Sequence, residues 1–377
     1  MGSSIGVIPY KTFSGNLFNR SFDLQKPLRG QIELTYRCNL HCVHCYTDCF
    51  NNPADIKKEM TTDMIFRLID EIHDAGCLWL CFTGGEIFMR KDFFEIYGYA
   101  KKKGFLITLF TNMTGVDEAI VNRLAENPPF VIETSCHGVG EAFDRITQVA
   151  GSFERFDNAI RLFLRHGLQV RVKTKAMTLN RGVLGKIKTY IESLGFKFGV
   201  STDIQPDLKG SYKTMTYSLT PKEIVALEIQ QDEPPFVIPA KAGIQSDSCL
   251  HKDNFLDPSL RGDDIVEAPH IYRCGCGANS FLVGAHGKLA SCVFSRQFEE
   301  NLSCQPFQQA LQRVFLRVRS AVFLGDSPCR DCKITHLCEK KPGMMHFNAQ
   351  NPEEPVKHFC ETAHLKAEKL GITRELP

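Results

Sequence analysis

Gln31-Ile-Glu-Leu-Thr-Tyr-Arg-Cys38-Asn-Leu-His-Cys42-Val-His-Cys45-Tyr46 runs from a strand-like stretch, 31–35, straight into a cysteine loop. Three thiolates within eight residues at a strand exit can hold three irons of a cuboidal cluster. A [4Fe–4S] cube normally takes four thiolates. A set of three therefore leaves one iron open to bind and reduce another molecule.

Working outward, short apolar runs of strand length recur at 78–83, 105–110, 130–135, 168–173 and 196–201, making six with the first. Helical patterns lie between them. Ile65, Leu68, Ile69 and Ile72 repeat at i, i+3, i+4, i+7, as do Phe93, Ile96, Tyr97 and Ala100, and weaker helices fall at about 117–126, 152–166 and 183–194. Thr62 suits a helix N-cap and Gly76 a C-terminal stop. Strands alternating with helices imply an α/β fold with a parallel sheet and right-handed crossovers. Six units fit a partial (β/α)6 TIM-like barrel, whose sites gather at the carboxyl ends of the strands.

The spacing C-x3-C-x2-C, with the aromatic His44 just before the third cysteine, resembles the cluster loop of the radical S-adenosylmethionine (SAM) superfamily. The resemblance implies that Cys38, Cys42 and Cys45 are the catalytic metal ligands and that the open iron chelates the amino and carboxylate groups of SAM. Electron transfer would then cleave SAM to methionine and a 5′-deoxyadenosyl radical that abstracts a hydrogen atom. A flavodoxin- or ferredoxin-like electron donor is the partner it implies.

Thr83-Gly84-Gly85-Glu86 ends the second strand, where two glycines let backbone approach a ligand closely and Glu86 can accept from an ammonium. Similar Gly-Gly-Glu segments of the superfamily bind the SAM amino group; a lone one is equally a glycine turn with a solvated carboxylate. Thr111-Asn112, Ser135 and Lys173 to Lys175, each closing a strand, are candidates for the ribose, carboxylate and adenine contacts, although polar residues cap many strands. Ser135-Cys136-His137-Gly138 stands where many relatives carry a Ser-Ile-Asp-Gly type segment, which favours Ser135 for the ribose. Arg145 is a candidate for the SAM carboxylate, with a plain surface arginine as its alternative. Cys49, Cys77, Cys81 and Cys136 have no partner spacing, and Cys77 and Cys81 read as core thiols.

Charge names no partner: 45 Lys plus Arg against 43 Asp plus Glu leave a net +2, with no footprint for nucleic acid or an anionic membrane. Sixteen cysteines without a secretion signal or a long apolar span suit metal ligands in a reducing cytoplasm better than disulfides.

The expected organisation is an N-terminal extension at 1–27, a core barrel at 28–232, an inserted loop at 233–266 and a small cysteine-rich domain at 267–377. The extension is too short for a separate peptide-recognition domain. Phe236-Val-Ile-Pro-Ala-Lys-Ala-Gly-Ile-Gln245 and Leu256-Asp-Pro-Ser-Leu-Arg-Gly-Asp-Asp264 resemble peptides translated from interspersed palindromic DNA repeats of some bacterial genomes, with an active-site lid as the alternative. Cys249 lies inside this stretch and is not counted as a ligand. Deleting 236–265 is expected to leave iron content unchanged, which iron and sulfide analysis checks.

Cys274-Gly-Cys276, Gly287 ahead of Cys292, then Cys329-x2-Cys332-x5-Cys338 and finally Cys360 form a second constellation. It resembles the SPASM extension of radical SAM enzymes, which houses auxiliary [4Fe–4S] clusters. That resemblance implies one cluster on Cys329, Cys332, Cys338 and Cys360, and a second on Cys276 and Cys292 with Cys274 joining. The cysteine expected four residues after Cys338 is replaced by Pro342. This leaves an iron open, or filled by Cys304, or the second cluster absent. Paired cysteines two residues apart also suit structural zinc.

A radical SAM enzyme with such a tail is expected to modify a ribosomally made peptide or a protein. Heme, tetrapyrrole or other redox-cofactor biosynthesis is the enzymatic alternative, and a non-catalytic iron–sulfur or zinc protein is the alternative of a different class.

Overall fold

The apolar runs become the strands of one sheet, buried most fully at its centre in β1 and β2. The computed structural model describes residues 10–47, 51, 53–208, 210–229, 270–272, 277–339, 342–343 and 351–372. The expected insertion at 233–266 lies outside the described residues, as do Cys49, Cys249, Cys274 and Cys276.

The order is α1 (Tyr10–Asp23), β1 (Arg29–Thr35), α2 (Pro53–Ile56), α3 (Thr62–Asp74), β2 (Trp79–Gly84), α4 (Phe93–Lys102), β3 (Leu106–Phe110), α5 (Glu118–Glu126) and β4 (Val131–Ser135). It continues with α6 (Glu141–Thr147), α7 (Ser152–Arg165), β5 (Val170–Lys175), α8 (Leu184–Ser193), β6 (Phe198–Ser201) and α9 (Pro221–Ile229). The tail adds β7 (Ser280–Val283), β8 (Lys288–Ala290), β9 (Glu300–Asn301), α10 (Phe307–Arg319) and α11 (Lys357–Lys369). All six expected strands form, within two residues of their expected starts.

The helix after the cysteine loop shows how sequence sets an element. Ile65, Leu68, Ile69 and Ile72 are its buried face. Burying each aliphatic side chain is worth roughly 1.5–3 kcal/mol as an upper bound. The cap is one residue earlier than expected: the Thr61 hydroxyl accepts from the Met64 amide at 3.3 Å, while the Thr62 hydroxyl donates to Asp92 at 2.7 Å. Gly76, at φ +85°, ends the helix as expected.

Among the described residues the sheet runs β6-β5-β4-β3-β2-β1-β7-β8-β9 and is open. Strands β1 to β6 are parallel neighbours in sequence order. The spacing pattern did not foretell the other side of β1, where β7 pairs parallel to it and β8 and β9 follow antiparallel. The tail therefore extends the barrel sheet, and β1, which leads into the cysteine loop, is central and buried along its whole length. Helix α1, from the N-terminal extension, closes the opposite end of the sheet: Phe18 packs with Leu28 and Trp79, and Arg29 lies 4.6 Å over the Phe18 ring.

Candidate active site at the carboxyl ends of the strands

The cysteine loop is fixed on both sides by backbone hydrogen bonds, so its thiols face inward without relying on side-chain packing alone. His41 and Val43 amides donate to the Thr147 and Ile146 carbonyls at the end of α6, and the Leu208 amide donates to the Tyr46 carbonyl. On the β2 side the Gly85 amide donates to the Thr35 carbonyl and the Glu86 amide to that of Arg37, both at 2.8 Å.

This contact explains the glycine pair. A Cβ at Gly84 would stand 2.1 Å from the Thr35 carbonyl oxygen, and one at Gly85 2.2 Å from that of Arg37, with Gly84 at φ +140°. The close approach that the two glycines permit is first of all that of the cysteine loop itself. Both glycines also line a cavity of about 250 Å³ together with Cys38, Cys42, Cys45 and Ser135.

Cys42 is half-buried, and its thiol is raised above the ordinary cysteine value by loss of solvent and by the neighbouring Cys45 and Cys38 sulfurs. A thiol whose deprotonation cost is raised by two neighbouring sulfurs fits a cationic iron group, which reverses that cost by binding thiolates. The described cysteines form no disulfides. Among the described residues no three His, Cys, Asp or Glu side chains converge tightly enough for a single metal ion, whereas a cube carries its thiolates on separate corners.

Glu86 is held by protein groups. It is 2% exposed and does not line the cavity. Its carboxylate accepts from the Thr111 hydroxyl at 2.9 Å, the Asn112 amide at 2.7 Å and the Phe88 amide at 3.2 Å. It ties the end of β2 to the end of β3. Asn112 carries the tie onward: its side-chain amide donates to Asn39 at 2.8 Å and stands 3.6 Å from the Cys38 sulfur.

Burial raises the Glu86 carboxyl from 4.5 to about 7, against the downward pull of the Asn112, Phe88 and Thr111 hydrogen bonds. A folded value above the unfolded one means that its stabilisation is complete below about pH 4.5 and is lost as pH rises through about 7. The stability advantage of wild type over Glu86→Gln, from urea melts, is therefore expected to shrink between about pH 5 and about pH 8. A constant advantage would show that the hydrogen-bonded carboxylate stays ionised.

Of the other expected contacts, Ser135 is exposed at the cavity wall and Asn112 lines it. His44 lies edge-on to His137 with ring centroids 4.3 Å apart, and both line the cavity. Arg145 is exposed on α6 and is not part of the lining. Cys77, Cys81 and Cys136 are buried core thiols, and burial pushes Cys136 up to about 12.

The sequence pattern did not single out the far wall. Lys173 pairs with buried Glu133 at 2.5 Å, Lys175 pairs with Asp203 at 2.8 Å, and Gln205 stands beyond them. Only the two lysines were marked by closing a strand. Asp203 and Gln205 lie past the end of β6 in a segment without periodicity.

In the tail, Cys292 and Cys338 pack on one apolar cluster with Leu282, Phe294 and Phe359, and Cys332 and Cys338 on a second with Ile334, Leu337 and Ala363. Cys360 is half-buried on α11, and Cys329 packs against the main core. The backbone at Pro342 and Gly343 sits directly on the Cys292 loop, since a Cβ at Gly343 would stand 1.9 Å from the Phe294 carbonyl oxygen. Cys304 is exposed in a separate surface cleft with Glu300, Gln305 and Arg313, and no other described cysteine shares that lining.

The family model described as the radical SAM superfamily matches residues 32–186. Fe-coproporphyrin III synthase of Methanosarcina barkeri is 30% identical over 39% of this chain, and the subtilosin biosynthesis protein AlbA of Bacillus subtilis is 28% identical over 47%. The chain spans only 36% and 39% of the length of these two relatives. An AdoMet-dependent heme synthase of the same Methanosarcina is 25% identical over 81% of this chain and 88% of its own length. Streptococcus suis SuiB bound to its precursor peptide SuiA shares the fold with a TM-score of 0.64, at 15% identity over 96% of this chain and 82% of that one. The cysteine loop at the exit of β1, the parallel sheet and the matched residues agree: residues 32–186 are similar to the radical SAM superfamily, and the fold is shared with SuiB.

Proposed function

We propose that this protein cleaves SAM reductively and uses the product radical to abstract a hydrogen atom from a ribosomally made peptide or a protein. The observation that carries this is one cavity, at the carboxyl ends of the strands, that holds Cys38, Cys42 and Cys45 opposite Gly84 and Gly85. A [4Fe–4S] cluster on the three cysteines, with SAM on its open iron, supplies the one-electron cleavage when bound.

The protein's own groups hold and shield that chemistry. Asn112 and the Glu86 carboxylate keep Cys38 in place through the β3 loop. The Asn180 side-chain amide donates to the His137 carbonyl at 3.1 Å and fixes the histidine beside His44. Glu133–Lys173 and Asp203–Lys175 place paired charges on the far wall, where they can meet the amides and side chains of a peptide. A flavodoxin- or ferredoxin-like protein would supply the electron. Among the described residues no helix is long and apolar enough to cross a membrane.

Heme or other tetrapyrrole maturation is the second reading, favoured by the length-wide similarity to the heme synthase. Anaerobic reconstitution with iron and sulfide analysis and a SAM-cleavage assay tests the chemistry. About eight to twelve irons, from cubes of four, and 5′-deoxyadenosine are expected; zinc, or iron without cleavage, would overturn it. Deuterium carried into 5′-deoxyadenosine from a labelled cellular peptide fraction supports the peptide substrate, and deuterium from labelled iron-coproporphyrin supports the second reading.

A further inference from the structure

Gln205 is 4% exposed and lines the cavity, yet both polar atoms of its carboxamide are buried without a hydrogen bond to any described residue. Its backbone is well held: the Thr214 hydroxyl donates to its carbonyl at 2.7 Å, and preceding Ile204 packs with Ile146 and Met177. The side chain is therefore buried on a held backbone with its donor and its acceptor unspent among the described residues. Burying such a group unpaired is costly, so its presence calls for a partner brought from outside.

The segment that carries Gln205 is joined to the cysteine loop through the Leu208 amide and the Tyr46 carbonyl, 2.8 Å apart. A molecule that fills the cavity against the three thiols thus meets the carboxamide. Adenine presents a donor and an acceptor side by side, and Gln or Asn pairs with that edge through both of its polar atoms.

Resting on the radical SAM reading above, we propose that Gln205 reads the adenine edge of SAM and is a binding residue specific to that base. The test uses the reconstituted full chain, with SAM binding followed by calorimetry. Gln205→Met, close in shape but without the polar atoms, is expected to bind SAM about tenfold more weakly, the effect of roughly one net hydrogen bond. Gln205→Leu serves as a second apolar variant.

Without SAM, both variants are expected to melt at or above the wild-type temperature, because a carboxamide without an internal partner gives the free protein nothing to lose. A SAM analogue whose base lacks the 6-amino group is expected to bind wild type about tenfold more weakly than SAM, and to bind Gln205→Met as well as SAM does. Unchanged SAM affinity in the variants, an analogue penalty that persists in Gln205→Met, or a lower melting temperature without SAM would each overturn the proposal. A wild type that binds no SAM overturns the radical SAM reading, and this assignment with it.

Discussion

Alanine at Cys38, Cys42 and Cys45 together is expected to abolish 5′-deoxyadenosine formation while iron in the tail persists. Thiolates are the only side chains of the loop suited to hold a cuboidal cluster, and without three of them the one-electron cleavage has no source. Iron per chain should fall by about four, one cube, and not to zero. The fold should survive, because the loop is anchored through backbone: His41 and Val43 on α6, Glu86 on Arg37, and Leu208 on Tyr46. The tail cysteines pack on their own clusters around Leu282, Phe359, Ile334 and Ala363, which the substitutions leave intact. Iron analysis, a circular dichroism melt and a SAM-cleavage assay on one preparation check all three expectations. Cleavage at the wild-type rate in the triple variant would refute the assignment of the loop.

The barrel half of this chain was legible because its signals are local. Strands of five or six apolar residues, helices with a buried stripe and a three-cysteine loop each fit inside a short window. The cap at Thr61 was missed by one residue because adjacent threonines compete, and the choice depends on Asp92, thirty positions away, engaging Thr62. The protein partners of Glu86 were not legible for a related reason. A Gly-Gly-Glu segment looks the same in sequence whether its carboxylate faces a ligand or the Thr111 hydroxyl. The pairing of β7 with β1, and the wall made by Glu133, Asp203 and Gln205, join residues far apart in the chain, and no spacing rule reports them.

The same long-range contact makes Arg296→Met the most destabilising single change expected in the tail. The Arg296 guanidinium, 8% exposed, donates to both Glu33 carboxylate oxygens at 2.8 and 2.9 Å and to the Tyr36 hydroxyl at 3.2 Å, and that hydroxyl donates to Glu33 at 2.9 Å. Burial alone would lower the guanidinium's pKa, but attraction to Glu33 outweighs it, and the group stays above the ordinary arginine value. Glu33 lies on β1 just ahead of the cysteine loop, and Arg296 closes the loop that carries Cys292 and Phe294, whose ring lies 6.0 Å from that of Tyr46. Removing Arg296 leaves the Glu33 charge buried and uncompensated, a loss of about 3–5 kcal/mol.

The double variant Glu33→Met/Arg296→Met should be distinctly more stable than Arg296→Met, because it removes the stranded charge as well as its partner. Urea melts of wild type, both single variants and the double variant measure this, and limited proteolysis reports whether the tail has come loose. A cost below about 1 kcal/mol for Arg296→Met, the range of an exposed ion pair, would mean that the tail is held by β7 pairing and apolar packing alone. A large cost that the double variant relieves would mean that the buried charge pair sets how the auxiliary cysteines sit against the loop of Cys38, Cys42 and Cys45.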